Sequence, residues 1–165
     1  MKKKKINKKK PPIKCERKRL REQENKYIKK FEIPIYERLL KVVVCEDIRT
    51  GLEIIESNDF EGEEDTVEAT VIEDNKGGIN VIIKPNANIN TICHESLHVV
   101  TAVLAHAGLK LTDDSEEAYA YLIGWVSERI DKAIKLCLEA ELKEMEDEED
   151  DDSHNVNQRS LEFID

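Results

Sequence analysis

Aromatic residues are scarce in this 165-residue chain, at 5%, and glycine, proline and cysteine number only six, four and four. No apolar stretch approaches the roughly 20 residues that span a bilayer. The lysine-rich start runs into charge and Pro11-Pro12 rather than the apolar core of a signal peptide. These absences predict a soluble, non-secreted, cytoplasmic protein with no membrane partner. The cysteines, Cys15, Cys45, Cys93 and Cys137, are scattered and form no CxxC pair, so reduced thiols are expected rather than a disulfide framework or a zinc finger. The length supports one domain and excludes a second core.

Charge is what the chain has in excess. Charged residues make up 38% of it, with 26 Lys and Arg against 36 Asp and Glu and a net charge of −10, where roughly 25% charged is usual. The two signs are segregated. Residues 1 to 30 hold 15 Lys and Arg against 3 Glu, a balance of +12, so the other 135 residues carry −22. A segment this basic cannot bury enough apolar area to offset its ordering entropy, and residues 1 to 30 are expected to be a solvated tail. The functional alternative is a nucleic-acid or polyanion contact through residues 1 to 30, because clustered lysines neutralise phosphates without reading sequence. No aromatic residue interleaves with them before Tyr27 to offer base stacking.

The ordered domain is expected over residues 31 to 140. Tyr36 to Cys45 reads as a helical turn entering a β-branched strand around Lys41 to Cys45. Thr66 to Glu73 alternates apolar and polar residues, and Ile79 to Lys84 follows Gly77-Gly78 at a spacing that suggests a hairpin. The acidic stretch Glu53 to Asp65 is expected to be an exposed loop or fraying helix. Next, Asn90 or Thr91 can cap a helix with apolar residues at Ile92, Leu97, Val100, Val103 and Leu104 and a terminating Gly108. Asp113, Asp114 or Ser115 can cap a second helix opening with Glu116-Glu117 and continuing to Cys137. Residues 141 to 165 read as an acidic C-terminal tail, with Leu161, Phe163 and Ile164 as a docking peptide.

The stretch Thr91-Ile92-Cys93-His94-Glu95-Ser96-Leu97-His98 places HExxH on the first of these helices. Four residues advance a helix by about 400°, so His94 and His98 share one face a turn apart and can grip one metal ion. Glu95 lies beside that face. Zinc held this way acts as a Lewis acid, and an adjacent carboxylate can take a proton from attacking water. The plainer reading is a pair of polar residues on an interhelical face. A catalytic zinc needs a third protein ligand. Metzincin spacing is excluded, because Thr101 and Leu104 occupy the places where that pattern needs Gly and His. His106 lies eight residues past His98, about 12 Å along a continuous helix, and reads as a helix-end histidine. Glu116 and Glu117 follow His98 at 18 and 19 residues, a spacing found in gluzincins, and only one of them can face the histidines. Glu117 shares a face with Tyr121 and Gly124, and a glycine there would let the two helices approach closely; Glu116 is the alternative.

These residues, with Glu117-Ala118-Tyr119-Ala120-Tyr121-Leu122-Ile123-Gly124-Trp125, resemble small phage-encoded HExxH proteins, related in outline to minimal gluzincin-like peptidase domains of the ImmA/IrrE type. The resemblance covers about residues 79 to 130. It implies a zinc site made of two histidines and a glutamate opening a later helix, with alanine three positions on, as Ala120 stands to Glu117. A thermolysin-like enzyme has Asp four residues after its glutamate ligand, where this chain has Tyr121. Tyr119 or Tyr121 would then be the oxyanion stabiliser, and Tyr121 is carried as the catalytic candidate beside Glu95.

The expectation is an α+β, minimal zincin-like domain, in which a small, mostly antiparallel sheet packs on the HExxH helix and a following glutamate-bearing helix. Zn2+ is held by His94, His98 and Glu117, Glu95 activates water for peptide-bond hydrolysis, and a peptide or protein substrate pairs with an edge strand at Ile79 to Lys84. The competing expectation is a non-catalytic, zinc-stabilised phage or virion-associated binding protein acting through its charged tails on nucleic acid or protein. Either would work in the cytoplasm, of the host if phage-encoded, or travel in a virion.

Overall fold

A computed structural model describes residues 27–57, 67–75 and 77–159, with side chains described through residue 146. The chain is α+β. Among the described residues there are four strands, β1 (Ile28–Ile33), β2 (Arg38–Val44), β3 (Ala69–Glu73) and β4 (Ile79–Ile83), and three helices, α1 (Ile48–Ile54), α2 (Ile89–His106) and α3 (Glu116–Arg159). Among the described residues no helix is long and apolar enough to cross a membrane.

The sheet order is β1-β2-β4-β3. β1 pairs antiparallel with β2 and β3 antiparallel with β4, while β2 and β4 run parallel, Leu40 opposite Ile79 and Val44 opposite Ile83. The sheet is therefore mixed. A parallel pair needs a crossover between its strands, and the segment carrying α1 and β3 supplies it. The Asp74–Gly78 turn closes the β3–β4 hairpin, with the Asp74 amide donating to the Gly78 carbonyl at 2.8 Å and Gly77 at φ +78°. The hairpin expected from Gly77-Gly78 is present.

Burial follows from the middle position of β4. All five of its residues are buried, as expected of a strand covered on both faces. Ile79, Val81 and Ile83 join Leu40, Val42 and Val44 of β2 in the core beneath α2 and α3, with Val99, Val100, Val103, Leu104, Leu122, Val126 and Ile130 from the helices. On the opposite face Val43 and Ile82 pack on Ile48 and Leu52 of α1. Helix α1 can approach closely because Gly51 lacks a Cβ; one placed there would sit 2.2 Å from Ile82 Cγ2.

Several boundaries differ from the sequence reading. Residues 28 to 30 belong to β1 rather than to the basic tail, because Ile28 and Ile33 are buried at its ends while Lys30 and Glu32 face solvent. No helical turn precedes β2. Pro34–Glu37 form the β1–β2 turn, with Ile35 and Glu37 in the left-handed region at φ 73° and 50°. The start of the acidic stretch Glu53–Asp65 belongs to α1, and residues 58–66 lie outside the described residues. Helix α2 starts two to three residues earlier than expected. Its cap is Asn88, whose side chain accepts from the Asn90 and Thr91 amides at 2.8 and 3.2 Å. Gly108 follows its end at φ +76°. Helix α3 runs to Arg159, so residues 141 to 159, expected as part of an acidic C-terminal tail, have a helical backbone; the docking peptide Leu161, Phe163 and Ile164 and the basic residues 1–26 lie outside the described residues.

Candidate functional site

The HExxH residues occupy the second and third turns of α2. Helix packing decides which way each points. Ser96 is wholly buried, donates to the Ile92 carbonyl at 2.7 Å, and accepts from Ser127 of α3 at 2.8 Å. The Ser96 direction is therefore the face toward α3. His94 and His98, each two residues away, lie about 200° round the helix from it, on the side opposite α3, and both are exposed. Their Nε2 atoms stand 3.1 Å apart, with the rings edge-on at 4.8 Å. Two imidazoles on a tetrahedral zinc, each at about 2.0–2.1 Å, would have nitrogens roughly 3.3 Å apart. The pair has the spacing of a two-nitrogen chelate, and the fit ends with these two.

Glu95 projects between the histidine side and the core. It is 6% exposed. Burial pushes its carboxyl up from the ordinary value, against the opposing pull of His94 and His98. Together with His94 it lines an open cleft of about 410 Å³ whose other walls are Val67, Glu68 and Ala69 beside β3 and Asn90 and Thr91 of α2. Glu68 is tied to the helix, its Oε2 accepting from Thr91 Oγ1 at 2.7 Å.

Strand β3 brings a backbone edge to the same cleft. Lys84 donates to the Glu68 carbonyl at 3.0 Å and Asp74 to the Gly78 carbonyl at 2.8 Å, so the even-numbered residues of β3 face β4. By alternation, the amides and carbonyls of Ala69, Val71 and Glu73 point away from it, and among the described residues no strand pairs on that side. The edge expected at Ile79–Lys84 is thus corrected: β4 is paired on both sides, and the strand bordering the HExxH helix is β3. A hairpin reading from sequence does not reveal which partner a third strand takes, and the parallel β2–β4 pairing decided it.

Glu117 is not brought to the histidines. It is exposed at the start of α3, as are Glu116, Tyr121 and Gly124, so the face that Glu117 shares with Tyr121 and Gly124 looks into solvent. A Cβ at Gly124 would meet nothing within 4 Å, and no close helix approach depends on it. Tyr121 is 78% exposed, whereas Tyr119 is buried in the core. Among the described residues no group of three or more His, Cys, Asp and Glu side chains is placed to hold a metal ion. His106 ends α2, where its Nε2 meets Glu73 Oε1, an oxygen shared with Arg38 at 2.7 Å.

Glu68, the Ser96–Ser127 contact and the free edge of β3 were not singled out from sequence. Ser96 occupies a variable place inside HExxH, and Glu68 is one of the polar residues of the alternating segment Thr66–Glu73, where nothing distinguishes it from the others. Comparison with protein-family models, curated proteins and solved structures gives no match for this chain.

Proposed function

We propose that the cleft between α2 and β3 is the site of a zinc-dependent, metallopeptidase-like activity, in a minimal zincin-like arrangement. The observation that carries it is the convergence of His94 and His98, at 3.1 Å, beside a buried Glu95 and the unpaired edge of β3. His94 and His98 would hold the ion, which supplies Lewis acidity toward a carbonyl oxygen. Glu95 is the proton acceptor: it lies at the cleft wall, and burial raises its carboxyl's affinity for a proton above the ordinary carboxylate's. The edge amides and carbonyls of Ala69, Val71 and Glu73 would pair with an extended peptide, main chain to main chain, leaving side-chain selection to the cleft walls. Glu117 and Tyr121, exposed on the opposite helix, take no part in this arrangement as it stands. The working compartment is the cytoplasm, of a host if the chain is phage-encoded.

A second reading is favoured by one observation, the lack of a third ligand beside the histidine pair among the described residues. In that reading a retained metal site stabilises a binding or virion-associated protein whose charged segments contact nucleic acid or protein.

Metal content by mass spectrometry separates the readings from coincidence. One zinc per wild-type chain, lost in His94→Ala, followed by peptide-library cleavage that Glu95→Gln abolishes while retaining metal, is the expected result. No zinc after supply of the ion, or cleavage undiminished in Glu95→Gln, would sink the enzyme reading. Zinc without cleavage in wild type would favour the binding protein.

A further inference from the structure

We infer that the C-terminal half of α3 is a docking surface for the basic N-terminal segment, residues 1–26, of the same chain. The surface is an exposed helix face. Among the residues of α3 whose side chains are described, Cys137 is the last that is buried, and none of residues 138 to 146 is buried. Leu138, Leu142 and Met145, 39%, 61% and 62% exposed, recur at spacings of four and three and so form one stripe along the helix. Exposed Glu139, Glu144 and Glu146 stand among them.

Three observations select the occupant. The first is where the basic segment joins the domain: Tyr27 lines a cavity of about 150 Å³ together with Cys137, Leu138 and Glu141 of α3. The segment ending at Lys26 therefore meets the domain at the foot of this stripe. From Glu141 the helix continues to Arg159, about 27 Å at 1.5 Å per residue, a length that 26 residues can follow. The second is charge. Residues 1–26 carry 13 Lys and Arg against 3 Glu, and residues 139–152 carry ten Asp and Glu against one Lys, so a sequence charge of +10 is matched by one of −9. The third is apolar content: Ile6, Ile13 and Leu20, seven residues apart, are the large aliphatics of the basic segment and can meet the Leu138–Met145 stripe. Tethering at Tyr27 gives an effective concentration of about millimolar, so a contact too weak to hold two separate chains closes within one. Docking occupies the lysines that would otherwise neutralise phosphates, and nucleic acid competes with α3 for them.

Tryptic cleavage within residues 1–26 of the full chain, followed by mass spectrometry, tests this directly. At about 0.02 M salt, where charges act over roughly 20 Å, cleavage in wild type is expected to be at least fivefold slower than in the variant Glu139→Lys, Glu144→Lys, Glu146→Lys. The difference should vanish at about 0.5 M salt, where screening is within about 5 Å. The variant Leu142→Ser, Met145→Ser keeps every charge and is expected to speed cleavage at least twofold. Equal rates in wild type and the charge variant at low salt, or protection unchanged in the apolar variant, would overturn the assignment. Protection that grows with protein concentration, with a dimer in sedimentation, would overturn it in favour of an exchange between copies.

Discussion

The substitution Glu117→Gln separates the ligand set suggested by motif spacing from the one suggested by packing. The Ser96–Ser127 hydrogen bond fixes how α2 and α3 lie against each other. The turn at residues 107–115 makes the helices antiparallel neighbours. Glu117 precedes Ser127 by ten residues, which sets it about 15 Å along α3 toward the α2–α3 turn. That is about 12 Å past the level of His98 and about 18 Å past that of His94, near His106 instead. The histidines, moreover, face away from α3. A carboxylate so placed contributes nothing to an ion at the histidine pair. Titration calorimetry with zinc is therefore expected to give Glu117→Gln an affinity within about twofold of wild type. His98→Ala should weaken binding by more than the ten- to hundredfold that loss of a mere supporting group costs. In thermal unfolding, zinc at about 100 times its dissociation constant should stabilise both wild type and Glu117→Gln by about 2.7 kcal/mol. For a chain of this size that is a rise in Tm of roughly 5–10 °C. A tenfold or greater loss of zinc affinity in Glu117→Gln, with metal-free stability unchanged, would refute the reasoning. It would mean that the start of α3 folds over onto the histidine face when metal binds.

Two further perturbations probe the scaffold around the cleft. Gly51→Ala puts a methyl 2.2 Å from Ile82 Cγ2 and 2.9 Å from Cys45 Sγ; Ile82 is wholly buried next to the sheet centre and has nowhere to move. Overpacking of about 1–3 kcal/mol outweighs most or all of the roughly 1 kcal/mol gained in helix propensity, so urea denaturation should show a loss of up to about 2 kcal/mol; a clear gain would show that α1 is not seated as described. Glu73 is desolvated by partial burial, which alone would raise its pKa, but its bonds to Arg38 and His106 win and hold it below the ordinary value. Its contribution is present above the unfolded pKa, about 4.3, and disappears as pH falls through the lower folded value. With the side chain 38% exposed, screening limits it to under about 1 kcal/mol. The stability difference between wild type and Glu73→Gln should thus shrink on acidification from about pH 6 to 3, and a difference that widens would reverse the assigned sign.

Much of the layout is local and was legible as such. The α2 pattern ends at Gly108 because the chain needs a left-handed residue there, and the β3–β4 hairpin is marked by Gly77-Gly78 with Asp74 closing the turn. The histidine pair shares a helix face because four residues nearly complete a turn. β1 was obscured because its lysines, Lys29 and Lys30, continue the composition of the basic segment, and only pairing with β2 shows that Ile28 and Ile33 bound a strand. The helical course of residues 141–159 was obscured by an acidic composition that hides apolar periodicity.

The amino-acid order by itself determined the β3–β4 hairpin, the helix carrying HExxH, the charge segregation and the shared face of His94 and His98, since each depends on neighbours within a few residues. Which strand forms the free edge, which side of α2 the histidines face and how far Glu117 lies from them were decided by tertiary structure. The parallel β2–β4 ladder puts Ile79–Ile83 in the middle of the sheet, and burying Val99, Val103 and Ser96 against the sheet and α3 leaves His94 and His98 facing solvent. Such choices rest on contacts between residues tens of positions apart, whose free energy comes from apolar area removed from water, and spacing within a motif carries no record of them.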